Sequence, residues 1–252
     1  MTGGSVAGAD PACRAYGGGQ VDSELASGGG SQDQRGRAPR ELPSGTVTFL
    51  FTDLEGSTRR WEADPDGMAA AVARHLELLE RAVDEHGGVV FAEMGDGIAA
   101  AFGTARDALV AAVDAQRVLE AEDWGGVGPL RARMGLHSGE GRVVGTQYES
   151  HTPNRCARLM GAAHGGQLLV SGSTHELLRG ALPADVELLD LGEHRLRDLR
   201  SPMHVFQVRA PGFATSSRSA SARSARCWCS TTSSRSPRPR RPWRTCCGAA
   251  WG

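Results

Sequence analysis

The sequence predicts an α+β domain with a ferredoxin-like β-α-β-β-α-β core, an antiparallel sheet flanked by helices. Three observations predict it. Two segments, 67–86 and 105–120, repeat apolar residues at helical spacing. Short apolar runs with strand-like alternation lie before, between and after them. An Asp-Gly step separates two of those runs, which is a hairpin signal.

In chain order, Thr46–Thr52 reads as a strand with Val47, Phe49 and Phe51 on one face and Asp53 at its C-terminal end. Gly67–His86 reads as an amphipathic helix in which Met68, Val72, Leu76, Leu79 and Val83 form the stripe, and Gly87-Gly88 ends it. Val89–Glu93 and Ile98–Phe102 flank Gly95-Asp96-Gly97. Ala105–Glu120 carries a second stripe of Ala105, Leu109, Ala112, Val113, Gln116 and Leu119. Leu130–His137 alternates Leu130, Ala132, Met134 and Leu136 with Arg131, Arg133 and Gly135. Pro153–Ala163 is helical, with Pro acceptable in the first turn. Gln167–Ser171 is a strand, Gly172–Arg179 a short helix, and Val186–Leu191 and Val205–Val208 are late strands. Such a fold hosts many unrelated functions, so activity has to be argued from residues.

The chain divides by composition. Residues 1–44 form a Gly/Ser-rich leader without periodicity, expected to be disordered because it buries too little apolar surface to offset ordering entropy. Residues 45–210 form the folded domain. Residues 211–252 are a low-complexity Ser/Arg/Pro-rich tail with eight Arg and no acidic residue after Ala214. Its composition is that of an out-of-frame or truncated junction, with a basic nucleic-acid arm as the alternative. The first 214 residues hold 20 basic and 29 acidic side chains, so no nucleic-acid surface is expected over 45–210. The chain contains no Lys. Of six Cys, Cys156 alone lies in the domain, which points to a reducing, cytoplasmic compartment. The tail's C-x-C and C-C spacings are not those of structural zinc sites. No apolar run reaches the ~18 residues of a membrane helix, so no membrane partner is expected. The N-terminus lacks the basic start and apolar stretch of a signal peptide.

The chemistry begins with two carboxylates. Asp53 ends the first strand and Asp96 occupies the hairpin turn, places that an antiparallel core can set side by side. Two carboxylates there repel unless a cation lies between them. Mg²⁺ suits such a place, since one or two carboxylates plus substrate phosphates hold it. Each Asp alone reads equally as an ordinary turn residue. After Asp53 come Leu54-Glu55-Gly56-Ser57-Thr58, a loop leading into a helix whose backbone N–H groups can cradle phosphates. Ser57 or Thr58 can also serve as the N-cap of that helix. Asn154 and Arg158, four apart on a helix, share a face. Arg can neutralise charge growing on a transferring phosphate, and an amide can orient a ribose.

The segments Gly45–Thr58, Met94–Gly97, Gly135–Gly139 and Pro153–Leu159, in this order and spacing, resemble class III adenylyl/guanylyl cyclase catalytic domains. The likeness is to the bacterial and actinobacterial type found ahead of ATPase and helix-turn-helix modules, and Leu191–Leu199 through Val205–Val208 resembles the end of that domain. The resemblance implies the fold of the class III cyclase type and a reaction in which the 3′-hydroxyl of a purine nucleoside triphosphate attacks its own α-phosphate. It implies two divalent ions, Mg²⁺ or Mn²⁺, held by Asp53, Asp96 and the Leu54 carbonyl. Gly56, Ser57 and Thr58 would line the triphosphate, Asn154 would orient the ribose, Arg158 would stabilise the transition state, and Arg197 would reach the triphosphate. It also implies a homodimer with shared sites, the two Asp coming from one subunit and the Asn/Arg pair from the other.

This sequence departs from the family where the base is read. An adenylyl cyclase usually has Lys four residues before the second metal Asp and Asp seven before the Asn. Here those positions hold Ala92 and Gln147, and a one-residue slip makes the first of them Glu93. Glu can accept from the N–H groups of guanine, whereas adenine N1 needs a donor; Gln147 can do both. The expectation is a cyclase acting on ATP or GTP, ATP being the family's usual bacterial substrate, with a nucleotide-binding regulatory module as the alternative.

Overall fold

The computed structural model of the chain describes residues 40–213. The expected leader and tail lie outside the described residues, apart from 40–44 and 211–213.

Strand β1 (Gly45–Leu54) is the spine, and it is longer than its apolar alternation indicates. Val47, Phe49 and Phe51 enter one cluster, while Leu50 and Leu54 enter another on the opposite face. Both faces of β1 are therefore covered, and the buried threonines of the second face, Thr48 and Thr52, are paired. The Thr48 hydroxyl bonds Ser138 Oγ at 2.8 Å, and Thr52 Oγ1 accepts from the Ile98 N–H at 2.9 Å.

A short helix α1 (Ser57–Ala63) follows, then α2 (Pro65–Glu85). The sequence pattern does not reveal α1, because it buries none of its side chains and so has no apolar stripe. The expected Ser57 or Thr58 cap is corrected: the cap residue is Gly56, with no side-chain bond. At α2, Asp64 does the capping, accepting from the Gly67 N–H at 2.9 Å. The buried face of α2 includes Met68, Val72, Leu79 and Val83 as expected, and also His75 and Leu78, while Leu76 stays at its margin.

Strands β2 (Val89–Glu93) and β3 (Ile98–Phe102) form the hairpin, and α3 (Ala105–Ala121) leads to β4 (Ala132–Gly141). This is the β-α-β-β-α-β order, with α1 inserted. The remaining elements are a two-residue ribbon, β5 (Val143–Val144) and β6 (Gln147–Tyr148), then α4 (Thr152–Met160), β7 (Leu168–Ser171), α5 (Gly172–Leu178), β8 (Glu187–His194) and β9 (Met203–Arg209). The seven-stranded sheet runs β2-β3-β1-β4-β7-β9-β8, and β4 with β7 is its parallel pair.

Helices α2, α3 and α5 cover the Leu50 face, and α4 lies on the Phe49 face. Gly135 makes the second packing possible. A Cβ there would stand 2.7 Å from the Met160 backbone nitrogen, so only Gly lets α4 approach β4 this closely. Cys156, fully buried beneath α4, has its Sγ 3.2 Å from the carbonyls of both Phe49 and Gly135. Burial raises the pKa of its thiol, so it acts as a packing group. His137 is likewise buried. Its Nδ1 bonds Ser171 Oγ at 2.8 Å, and burial together with Arg155 lowers its pKa to about 4, leaving it neutral.

Candidate active site

Residues of a strand alternate between faces, so Asp53 continues the Phe49–Phe51 series on the α4 side. The register sets it opposite Arg133 of β4. Arg133 Nε lies 2.6 Å from Asp53 Oδ2, and its Nη2 contacts the same oxygen. β3 pairs with the other edge of β1, which carries the β2–β3 turn to the same end.

Gly97 fixes how close that turn comes. A Cβ on Gly97 would stand 2.0 Å from the Thr52 carbonyl oxygen, and the turn is closed by the Met94 N–H donating to the Gly97 carbonyl at 2.8 Å. Asp96 thereby meets Asp53. Burial raises the Asp53 pKa from 3.8 to about 6, the Arg133 guanidinium opposes the rise, and the like charge of Asp96 adds to it. Gly97→Ala is expected to lower stability by about 1–3 kcal/mol, since the turn has to move away from Asp53. Urea unfolding of the variant beside the wild type checks this.

The donors brought together are the carboxylates of Asp53 and Asp96, at the end of β1 where Leu54 follows. Hard oxygen donors of this kind fit Mg²⁺ or Mn²⁺. Among the described residues no group of three or more His, Cys, Asp or Glu comes together, so the candidate centre is a carboxylate pair that needs further oxygens from a ligand. Gly56, Ser57 and Thr58 follow directly, where the chain leaves β1 and begins α1; Ser57 is half-buried, and Gly56 and Thr58 are exposed.

A second group forms at α4. Leu159 packs with Leu196, Met203 and Val205, which seats the β8–β9 connection against the helix. Arg158 Nη2 then lies 3.0 Å from Asp198 Oδ2, and Arg197 Nε lies 3.6 Å from the same oxygen. Asn154, on the exposed side of α4, lines an open cavity of about 490 Å³ with Glu140, Arg142, Tyr148, Glu149, Ser150 and His151. Ser150 Oγ is buried there without a hydrogen-bond partner.

At the base-reading positions, a bulge at Phe91 shifts the β2–β3 register. Ala92 packs half-buried in the Phe49 cluster, whereas Glu93 is exposed at the strand end and Gln147 is exposed on β6. Arg133 was legible in the sequence only as an outward residue of an alternating strand. The β1–β4 register shows it to be the partner of Asp53. Asp198 had no sequence signal; it is the non-glycine residue with positive φ, 60°, among the described residues.

The architecture is that of a class III nucleotide cyclase catalytic domain. Residues 41–210 match the model of the adenylate and guanylate cyclase catalytic domain, and the chain belongs to that family. An uncharacterized protein of Mycobacterium tuberculosis is 43% identical over 171 residues, covering 67% of this chain and 58% of that protein. A receptor-type adenylate cyclase of Trypanosoma congolense is 31% identical over 215 residues, covering 69% of this chain and 29% of that one. Among solved structures, an adenylate cyclase from Trypanosoma brucei in its monomeric state superposes with a TM-score of 0.60 at 26% identity, covering 70% of this chain and 94% of that one. The chain thus spans little more than half of the mycobacterial relative and under a third of the trypanosomal one. Among the described residues no helix is long and apolar enough to cross a membrane.

Proposed function

We propose that residues 45–210 are the catalytic domain of a homodimeric nucleotidyl cyclase that converts a purine nucleoside triphosphate, ATP, to the 3′,5′-cyclic monophosphate and pyrophosphate. The observation that carries this reading is the meeting of Asp53 and Asp96 on the sheet face that also bears α4. Two carboxylates forced together, one with its pKa raised to about 6, form a site suited to a cation. Asp53, Asp96 and the Leu54 carbonyl would hold Mg²⁺ or Mn²⁺. Bound there, such ions would neutralise phosphate charge and favour ionisation of the attacking hydroxyl.

The chain's own residues supply the rest. Arg133, which pairs with Asp53, would turn to triphosphate oxygens once the carboxylate takes other partners. Gly56, Ser57 and Thr58 line the same end of β1. Asn154 from the second subunit orients the ribose so that O3′ stands in line with the α-phosphorus. The O3′–Pα bond forms as the hydroxyl gives up its proton to solvent, while the bond from Pα to the bridging oxygen of the β-phosphate breaks, and pyrophosphate leaves. Arg158, also from the second subunit, neutralises the charge that grows on the transferring phosphoryl group. Glu93 and Gln147 read the base edge. Because an exposed Glu93 suits guanine donors, GTP is the substrate to compare with ATP.

The test is product formation by the purified protein with Mn²⁺ and ATP or GTP in parallel, read by mass spectrometry. Cyclic AMP as the major product is the expected result, and no cyclic nucleotide from either triphosphate sinks the reading. Ala92, which puts an apolar side chain where the base-reading Lys usually stands, favours a second reading, a nucleotide-binding regulatory module. Triphosphate binding without turnover would establish that one.

A further inference from the structure

Asp198 is the third residue of a tight turn closed by the Leu199 N–H donating to the Leu196 carbonyl at 3.3 Å. It is exposed, it belongs to none of the apolar clusters, and its backbone is left-handed at φ 60°. A residue with a Cβ pays for that conformation, although Asp and Asn tolerate it better than most. From this turn its carboxylate reaches α4. One carboxylate oxygen, Asp198 Oδ2, lies 3.0 Å from Arg158 Nη2 and 3.6 Å from Arg197 Nε. These are the two guanidinium groups that the cyclase reading assigns to the transferring phosphate and the triphosphate. Leu196 and Leu199, on either side, anchor the connection in the cluster that includes Leu159 of α4, so the carboxylate is delivered to Arg158 by a packed segment.

We propose that Asp198 is a built-in competitor of the triphosphate: it pairs with Arg158, lies beside Arg197, and has to yield both when phosphate oxygens arrive. The inference rests on the cyclase reading for the identity of the ligand and on the contacts above for the competition. Phosphate and carboxylate are alternative acceptors for the same planar fork of donors, so both cannot take the same N–H groups at once. The pair is exposed, at 32% for the Arg158 side chain and 58% for Asp198, so the contact is weak enough to exchange. The affinity of a site that is competent only part of the time falls by its competent fraction. Asp198 would thereby set how much triphosphate is needed to load the site, acting as a positioning residue and not as a catalytic one.

The experiment uses the full chain and two variants, Asp198→Asn and Asp198→Gly. Asn keeps the size and tolerates a left-handed backbone, and Gly removes the backbone strain. Binding of inorganic tripolyphosphate is measured by calorimetry, alongside the KM for ATP and GTP. Both variants are expected to bind tripolyphosphate about two- to sixfold more tightly, from the small worth of a partly exposed ion pair. The gain should shrink when Arg158→Ala is added, which a merely structural role for Asp198 would not produce. Unchanged or weaker binding in both variants overturns the proposal, as does the absence of any tripolyphosphate binding in wild type and variants alike. Tighter tripolyphosphate binding with no cyclic nucleotide formed would leave the competition standing and remove the cyclase reading. Normal turnover with unaltered affinity would do the reverse.

Discussion

Replacing Asp53 by Asn is expected to abolish turnover and, at the same time, to make the metal-free protein more stable. Burial and Asp96 raise the Asp53 pKa to about 6 against the pull of Arg133, so the ionised carboxylate is disfavoured in the folded chain. The sign follows from proton linkage. Between the ordinary value of 3.8 and about 6 the folded state binds more protons at this site than the unfolded state does. Stability therefore falls as pH rises through that window and stays reduced above it. At neutral pH the penalty is therefore present in full, and Asn removes it. A Mg²⁺ or Mn²⁺ ion should reverse the order: at a hundred times its Kd, an ion that binds only the folded state adds about 2.7 kcal/mol. The melting temperature of wild type should rise with Mn²⁺ while that of Asp53→Asn barely moves. Turnover of the variant should fall about a thousandfold or more, the scale of several kcal/mol of lost charge stabilisation. A variant that is less stable than wild type without metal, or that gains equally from Mn²⁺, would show that Asp53 is a structural partner of Arg133 and not a metal ligand.

Much of this arrangement could be read from the chain, for a physical reason. Helices α2 and α3 are long and one-sided, so the buried face repeats often enough to be seen, and Gln116 falls on the α3 stripe as its Nε2 donates to the Ala132 carbonyl at 2.9 Å. The Asp-Gly hairpin was equally plain, because its turn chemistry is local. Two kinds of feature were not legible. Helix α1 and the β5–β6 ribbon are too short and too exposed to leave a period. The contacts Arg133–Asp53 and Arg158–Asp198 join residues 80 and 40 positions apart, so they exist only once the strand register and the seating of α4 are known. The glycines of the four motifs were visible as letters, but their use was not. Gly97 makes room for the Thr52 carbonyl and Gly135 for the backbone of α4, and both are demands made by distant chain.

Two dead variants should restore each other. Arg158→Ala alone is expected to lose about 10²–10³-fold in kcat, the usual cost of removing a group that stabilises transition-state charge. Asp53→Ala alone should be at least as impaired. If the Asp pair of one subunit works with the Asn/Arg pair of the other, a mixed dimer has one site with both defects and one site with none. Random exchange of equal amounts gives half mixed dimers, so activity should return to about a quarter of wild type. The specific activity of wild type should likewise fall on dilution, as dimers separate. Within one chain, Asp53 with Asp96 and Arg133 forms one cluster at the end of β1, and Arg158 with Arg197 and Asp198 forms another beside α4. The first lies on the Phe49 face of the sheet, against which α4 packs and where Phe91 and Met94 are half-buried beside Tyr148. In a shared-site dimer the first cluster of each chain would meet the second cluster of its partner, an arrangement compatible with association about a twofold axis. Mixtures that stay inactive, although size measurements show subunit exchange, would place all four residues in a single-chain site and remove the shared-site scheme.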